Sequence, residues 1–309
     1  MQSSRSLTSS SPGISSAVAI DTVDAEAKPT SSMWRSVGIC LLLVELVLLY
    51  APTVVFLWER WTMSVWHNAH GALVPPIVAF LVYHELKPFR GRPAVRGSAW
   101  GFALLVPALL LHAVDAGMHT QLLAATSIVI ALPGLSLLLI GVKRTRAILF
   151  PLVFLVAALP IPLGMTEQIH MQLRLIATAA SAWIVPALGI PVFVEGTTLH
   201  LATGPLQISD ACSGFSTLYA AGAVALLTAY STPGWKRKAF VLLAAAPLAI
   251  AANILRVVSL TALVIWEGPW VLGSFIHPLS GMLTFALALP IIFWLGGDSR
   301  PRPVARADA

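Results

Sequence analysis

The sequence predicts an all-α integral membrane protein, a polytopic bundle of about eight transmembrane helices. Of its 309 residues, 57% are hydrophobic and only 10% are charged, whereas a soluble domain carries about 25% charged residues. The hydrophobic residues form separate runs, each close to the length of about 20 residues that a helix needs to cross a bilayer. This composition excludes an ordinary soluble enzyme and places any chemistry within the bilayer or at its surface.

The apolar runs follow a polar N-terminal segment. Residues 1–35 are rich in Ser, Thr and Ala and lack periodic apolar positions, which is typical of a disordered cytosolic tail. We expect a single transmembrane domain over residues 36–297 and a second cytosolic tail over residues 298–309. The runs cover residues 37–58, 65–86, 98–114, 122–142, 147–163, 213–230, 239–266 and 278–295.

The positive charges predict the orientation of the helices. Lys and Arg occur in the N-terminal tail and in clusters after every second apolar run, and cytosolic loops are the ones enriched in these residues. Both termini are therefore predicted to lie in the cytosol. The net charge of +6 fits this orientation and does not by itself indicate a nucleic-acid partner. The clusters after the runs cover residues 87–96, 143–146, 236–238 and 300–306.

Residues 165–211 are predicted to form an outer interfacial segment followed by a loop. The stretch 173–194 is apolar enough to cross the bilayer, but a crossing there would move the basic cluster at 236–238 to the outer side. We therefore expect this stretch to lie along the outer interface or to re-enter the membrane. Residues 192–209 are rich in β-branched side chains and interrupted by Gly and Pro, which predicts short extended pieces.

Cys212 is the first of three candidate catalytic residues. It lies in the run DACSGFSTLYAAG, at the predicted outer N-terminus of the sixth helix, where unpaired backbone N–H groups favour a thiolate. Gly214 would let a substrate approach the backbone, and Ser213 and Asp210 could support the site or cap the helix. From this run alone, a small buried cysteine at a capped helix start is an equally good interpretation.

Arg256 and His277 are the other two candidates. Arg256 lies about 26 Å along a helix that starts at the cytosolic face, just below the outer surface, where a cation either marks a functional site or extends to the interface. Asn253 shares its helix face. His277 precedes Pro278 at the predicted outer start of the last helix, and it either transfers protons near neutral pH or is an ordinary interfacial histidine.

These three residues are predicted to meet on one surface. The basic flanks place Cys212, Arg256 and His277 at similar depth on the outer side of three helices. A cysteine with a histidine forms a nucleophile and a base, and an arginine supplies the charge that stabilises an acyl-transfer intermediate. The set therefore predicts acyl transfer at the extracytoplasmic surface.

Four runs in order resemble the exosortase/archaeosortase family of polytopic membrane proteins. The resemblance covers roughly residues 147–290, and we expect the catalytic part at about 147–295. The runs are FPLVFLVAALPIP at 150–162, DACSG at 210–214, NILR at 253–256 and HPLSG at 277–281.

The resemblance implies a cysteine protease or transpeptidase with Cys212 as nucleophile, Arg256 as stabiliser of the carbonyl or oxyanion and His277 as general acid and base. It implies neither a metal nor a cofactor. The expected partners are the lipid bilayer and membrane-tethered proteins whose C-terminal sorting signal, of the PEP-CTERM kind, has a short motif, one transmembrane helix and a basic tail. A thioester would pass to an unknown amine or to water at the outer face of the cell inner membrane.

Two positions depart from the family pattern. Asp210 stands where the family often has Glu, which keeps the carboxylate. Residues 215–217, Phe-Ser-Thr, stand where the family often has Arg soon after the CSG run. The missing arginine indicates a subfamily with a different recognition motif.

Other polar residues leave further interpretations open. Glu45 lies in the middle of the first run and suits either a transport path or a neutral structural role. His67 and His70 have the spacing of a zinc pair but no further ligand at a suitable distance in sequence. Glu195 and His200 could position a substrate or simply be solvated. The alternative functions are a polytopic transporter or channel and a non-catalytic envelope-assembly protein.

Overall fold

The computed structural model describes residues 31–62, 69–92, 97–209 and 212–297, and it confirms an all-α polytopic membrane fold. Within these residues, six helices are long and apolar enough to cross a membrane. A further apolar helix, Phe215–Ser231, has 17 residues. The total of eight crossings and the cytosolic placement of both termini stay predictions.

The first helix, α1, spans Ser31–Thr62 and therefore begins inside the predicted N-terminal tail. The rest of that tail, residues 1–30, and the predicted C-terminal tail, residues 298–309, lie outside the described residues. The contacts of the chain divide it into one unit that ends at Leu49 and a second unit that continues from there. The described residues of the first unit form the first part of α1.

Three further helices precede the predicted outer segment, and the last of them is interrupted. They are α2 (Val74–Leu86), α3 (Phe102–Met118) and α4 (Leu122–Phe154). α2 and α3 both pack against α4. Gly141, with a φ of 77°, breaks α4 where the sequence predicts a basic loop between two apolar runs. Buried Asp115 accepts hydrogen bonds from the Thr120 hydroxyl and the Leu123 N–H, which caps the start of α4.

Helix α5, Leu163–Ala187, forms much of the predicted outer segment. It follows a 3-10 turn at Leu155–Ala158, so the apolar run that was expected to be helical up to residue 163 ends as an α-helix at Phe154. Two prolines, Pro160 and Pro162, explain the extended connection, because proline disfavours a helical conformation in the residue before it. α5 is not among the six candidate spans, and its interfacial placement stays a prediction.

A three-stranded antiparallel sheet follows α5 and confirms the predicted extended pieces. Its strands are β1 (Phe193–Glu195), β2 (Thr198–Leu201) and β3 (Gly204–Gln207), in the order β1-β2-β3. One face of the sheet carries the buried side chains of Leu199, Leu206 and Ile208, which belong to the same apolar cluster as Cys212 and Val257. The sheet is therefore held on the core that surrounds the candidate nucleophile.

The C-terminal helices bring the candidate residues together. They are α6 (Phe215–Ser231), α7 (Trp235–Glu267), the short α8 (Trp270–Gly273) and α9 (Ile276–Gly296). α7 packs against α5, α6 and α9. Buried alanines line these contacts, and small side chains let membrane helices approach closely; they are Ala221, Ala225, Ala245 and Ala249. This packing places the starts of α6 and α9 beside the second half of α7.

Candidate active site

Cys212 lies just before the first turn of α6 and is buried, with 7% of its surface exposed. Its backbone N–H donates to the carbonyl of Ser209 at 2.9 Å, which closes a turn between the end of the sheet and the helix. The helix itself begins at Phe215. The sequence predicts Cys212 at the outer start of the sixth helix, and the structure places it in a turn that leads into that helix.

Asn253 of α7 fixes the turn that carries Cys212. Its side-chain amide donates to the carbonyl of Cys212 and to that of Ser213, both at 3.0 Å. Gly214 has a φ of 81°, and a Cβ there would collide with the Asn253 side chain. The glycine is thus required both for its left-handed backbone and for the close approach of α7.

We expect Gly214→Ala to destabilise the protein by about 2 kcal/mol or more, because alanine is strained at positive φ and its methyl group would displace Asn253. Gly222→Ala is the matched control, since Gly222 lies in α6 with open space around it. Thermal unfolding of the detergent-solubilised variants measures the difference. Equal unfolding temperatures of the two variants would contradict the described packing.

His277 lies in the first turn of α9, and its Nε2 is 2.8 Å from Cys212 Sγ. When Cys212 is protonated, its thiol donates and Nε2 accepts, which requires the proton of the neutral ring to be on Nδ1. The contact joins residues that are 65 positions apart in sequence. The structure thus brings two of the three predicted residues into direct hydrogen-bond distance.

Arg256 of α7 is buried, with 6% of its surface exposed, and it binds the start of α9. Its Nε donates to Ser280 Oγ at 3.0 Å and its Nη2 to the His277 carbonyl at 3.3 Å. Ser280 Oγ in turn donates to the same carbonyl at 2.6 Å. A Cβ at Gly281 would lie 3.1 Å from the guanidinium carbon, so the HPLSG run wraps closely around the arginine.

The electrostatics of Cys212 favour a protonated thiol that needs an adjacent base. Burial raises the pKa of the thiol, while the positive charge of Arg256 and a hydrogen bond from the Ser209 side chain lower it. Burial is the larger effect, so the pKa lies above its ordinary value. At neutral pH the thiol therefore keeps its proton until His277 accepts it.

Comparison with known protein families identifies the family of this chain. The family model of the transmembrane exosortases matches residues 58–294. The chain belongs to the transmembrane exosortase family. Exosortases are membrane-embedded protein-sorting transpeptidases, and the match begins far ahead of residue 150, where the first quoted motif starts. Neither a curated protein nor a solved structure matches the chain.

His170 of this exosortase contacts the candidate site but was not predicted from the sequence. It lies in α5, is buried, and its Nδ1 is 2.7 Å from Ser213 Oγ. Its ring packs on Phe215, with the ring centres 4.6 Å apart. α5 therefore supports the Cys212 turn through a contact between residues that are 43 positions apart in sequence, which no local sequence pattern reveals.

His200 and His70, which the sequence also singled out, have partners outside this cluster. His200 bonds to Glu195 at 3.2 Å on the exposed side of the sheet. His70 packs on Tyr219 with ring centres 4.6 Å apart, and the described residues contain no group of three potential metal ligands. Asp210 and His67 lie outside the described residues. Glu45 is exposed on α1.

Proposed function

We propose that this exosortase is a cysteine transpeptidase in which Cys212 is the nucleophile, His277 the general acid and base, and Arg256 the stabilising charge. The observation that carries the proposal is the 2.8 Å contact between Cys212 Sγ and His277 Nε2, next to a buried arginine that binds the His277 carbonyl. A nucleophile in hydrogen-bond contact with a base, which a third group holds in place, is the arrangement that acyl transfer requires.

The first half of the reaction forms a thioester. His277 Nε2 takes the proton of Cys212, and the thiolate attacks the carbonyl carbon of a peptide bond in the substrate. The positive charge of Arg256 stabilises the negative charge that develops on the carbonyl oxygen. The C–N bond then breaks, His277 returns the proton to the leaving amine, and the C-terminal part of the substrate departs.

The second half releases the product. An amine or a water molecule gives a proton to His277 and attacks the thioester carbonyl, and the C–S bond breaks as the proton returns to the Cys212 sulfur. The acceptor decides whether the overall reaction is transpeptidation or hydrolysis. In both cases the same histidine acts first as base and then as acid.

The proposed substrates are secreted proteins that stay tethered in the membrane by a C-terminal signal of the PEP-CTERM kind. The family resemblance supports this proposal, and so does the position of Cys212 just before the start of an apolar helix. A tethered substrate would diffuse laterally to the enzyme in the inner membrane and be cleaved on the periplasmic side.

Intact-mass analysis of the purified exosortase tests the proposal. The probe is a reporter protein fused to a Pro-Glu-Pro segment, one transmembrane helix and an arginine-rich tail. We expect an adduct on the wild type and on Cys40→Ser, none on Cys212→Ala, and release of the adduct by hydroxylamine, as a thioester requires. Cys40 is the matched control because it is the other cysteine of the chain.

Two negative outcomes have different meanings. A missing adduct, together with a Cys212 thiol that does not react with iodoacetamide near pH 7, would contradict the proposed nucleophile. A missing adduct with a reactive thiol would contradict only the PEP-CTERM kind of signal, and reporters with other motifs would then be compared.

A further inference from the structure

We infer that the free edge of β3 binds the main chain of the substrate, next to the bond that is cleaved, as an additional strand. The inference rests on the proposed function and assigns a binding surface to it. The occupant is the extended stretch of the secreted protein that connects its folded part to its transmembrane helix.

The hydrogen-bond register shows which groups of β3 face outward. Thr198 pairs with Gln207, and the Ile208 N–H donates to the Thr197 carbonyl at 2.9 Å. In an antiparallel pair, residues alternate between bonding to the partner strand and pointing their N–H and C=O away from it. Since Ile208 bonds to β2, the N–H and C=O of its neighbour Gln207 point to the free side of β3.

The outward groups of β3 are concentrated at its C-terminal end. Two residues before Gln207, the next outward position is Pro205, which has no N–H to donate. A proline on an edge strand limits pairing with other chains. The edge therefore offers a short, complete donor and acceptor pair only at Gln207, the end of the strand that is nearer to Cys212.

The end of this edge contacts the candidate nucleophile. The side chains of Leu206 and Ile208 are buried in one apolar cluster with Cys212. Ser209 accepts the backbone hydrogen bond of Cys212 at 2.9 Å, and its side chain bonds to the Cys212 thiol. A peptide that pairs with Gln207 would thus have its next residues beside the sulfur.

The opposite edge of the sheet, formed by β1, is not followed by the turn that carries Cys212. α5 packs against β1 and β2, and Val194 of β1 packs its side chain into the core cluster. The two outer residues of β1 are exposed, as are Gln207 and Ser209, so exposure does not distinguish the two edges. The two edges differ in where the chain goes next: β3 leads through Ser209 to Cys212, whereas β1 follows α5.

An extended peptide is the ligand that a strand edge recognises. Main-chain hydrogen bonds supply affinity without reading the sequence, and alternate side chains of the bound strand can be read by neighbouring pockets. Pairing also holds the peptide in an extended conformation, which exposes the carbonyl of the bond to be attacked and reduces the entropy cost of positioning it.

A proline substitution on the edge tests the inference. Gln207→Pro removes the outward N–H and blocks the edge, so we expect adduct formation with the reporter at limiting concentration to fall at least roughly tenfold. Gln207→Ala keeps the N–H and changes the side chain alone, so we expect a much smaller loss than for Gln207→Pro. Ala202→Pro places a proline in the turn of the same hairpin, where proline is tolerated, and should react like the wild type.

Alkylation of Cys212 by iodoacetamide separates lost binding from lost structure. We expect Gln207→Pro to be alkylated at the wild-type rate, because the nucleophile and its base are unchanged. A Gln207→Pro variant that forms the adduct as fast as Gln207→Ala would overturn the inference. If the wild type itself forms no adduct, the proposed function fails first, which keeps the two failures distinct.

Disulfide cross-linking provides a second test that does not depend on turnover. In a Cys40→Ser, Cys212→Ala background, Gln207→Cys is combined with reporters that carry one cysteine at successive positions before the transmembrane helix. A strand on the β3 edge predicts cross-linking with a period of two residues. A period of three to four residues, or a yield no higher than that of Thr203→Cys in the turn, would overturn the inference.

Discussion

Cys212→Ser is expected to lower processing of the tethered reporter by at least about 10³-fold, because a hydroxyl is a much weaker acid and nucleophile than a thiol beside the same histidine. The substitution is nearly isosteric, so the 2.8 Å contact with His277 can form with either side chain. Reporter cleavage in membranes, followed over time, measures the effect.

Glu45→Gln is the matched variant, and we expect it to leave processing within about twofold of the wild type. Glu45 lies on α1 with an exposed side chain, in the unit of the chain that ends at Leu49. A transporter that uses Glu45 along its path would show the opposite pattern. Full activity of Cys212→Ser together with failure of Glu45→Gln would therefore remove the proposed enzyme and favour transport.

The sequence predicted the meeting of Cys212 and His277 because each residue could be located along its own helix from the basic flanks. Depth in the bilayer follows from counting residues, since an α-helix rises by about 1.5 Å per residue. Residues at the same depth on the same side of packed helices are therefore expected to lie close together. The packing of α6, α7 and α9 brings the two side chains to 2.8 Å from each other.

The supporting contacts could not be predicted in this way because they depend on how each helix is rotated about its axis. His170 reaches Ser213 from α5, and Ser280 bridges Arg256 to the His277 carbonyl. A residue count gives the depth of a residue but not the direction in which its side chain points. A run that is apolar on all sides gives little information about the rotation of the helix about its axis. The sequence also left α5 undecided between interface and re-entry, because the basic clusters require only that this stretch does not cross the bilayer.

Arg256→Gln is expected to slow adduct formation by about 10²–10³-fold, because it removes the charge beside the developing oxyanion. The same substitution has a consequence for the resting enzyme. Since Arg256 lowers the pKa of Cys212 against the effect of burial, its loss raises that pKa further. A higher pKa means a smaller thiolate fraction at neutral pH. The pH at which iodoacetamide alkylation is half-maximal should therefore move upward.

Arg256→Lys separates the charge of Arg256 from its geometry. Lysine keeps the positive charge but has no planar fork to donate to Ser280 Oγ and the His277 carbonyl together. We therefore expect the alkylation midpoint of this variant to stay close to that of the wild type while adduct formation is slowed. Ser280→Ala retains the arginine and loses one of its partners. Its rate of adduct formation should therefore lie between those of the wild type and Arg256→Lys.

The alkylation midpoints of these variants distinguish two ways in which Arg256 could act. If Arg256→Lys shifts the alkylation midpoint as much as Arg256→Gln, the charge near Cys212 depends on the fork that holds the guanidinium against α9. If neither variant shifts it, Arg256 acts only by positioning the first turn of α9, and the oxyanion must then be stabilised by backbone N–H groups near Gly214. In that case Gly214 and Asn253, which fix this backbone, would be the more sensitive positions.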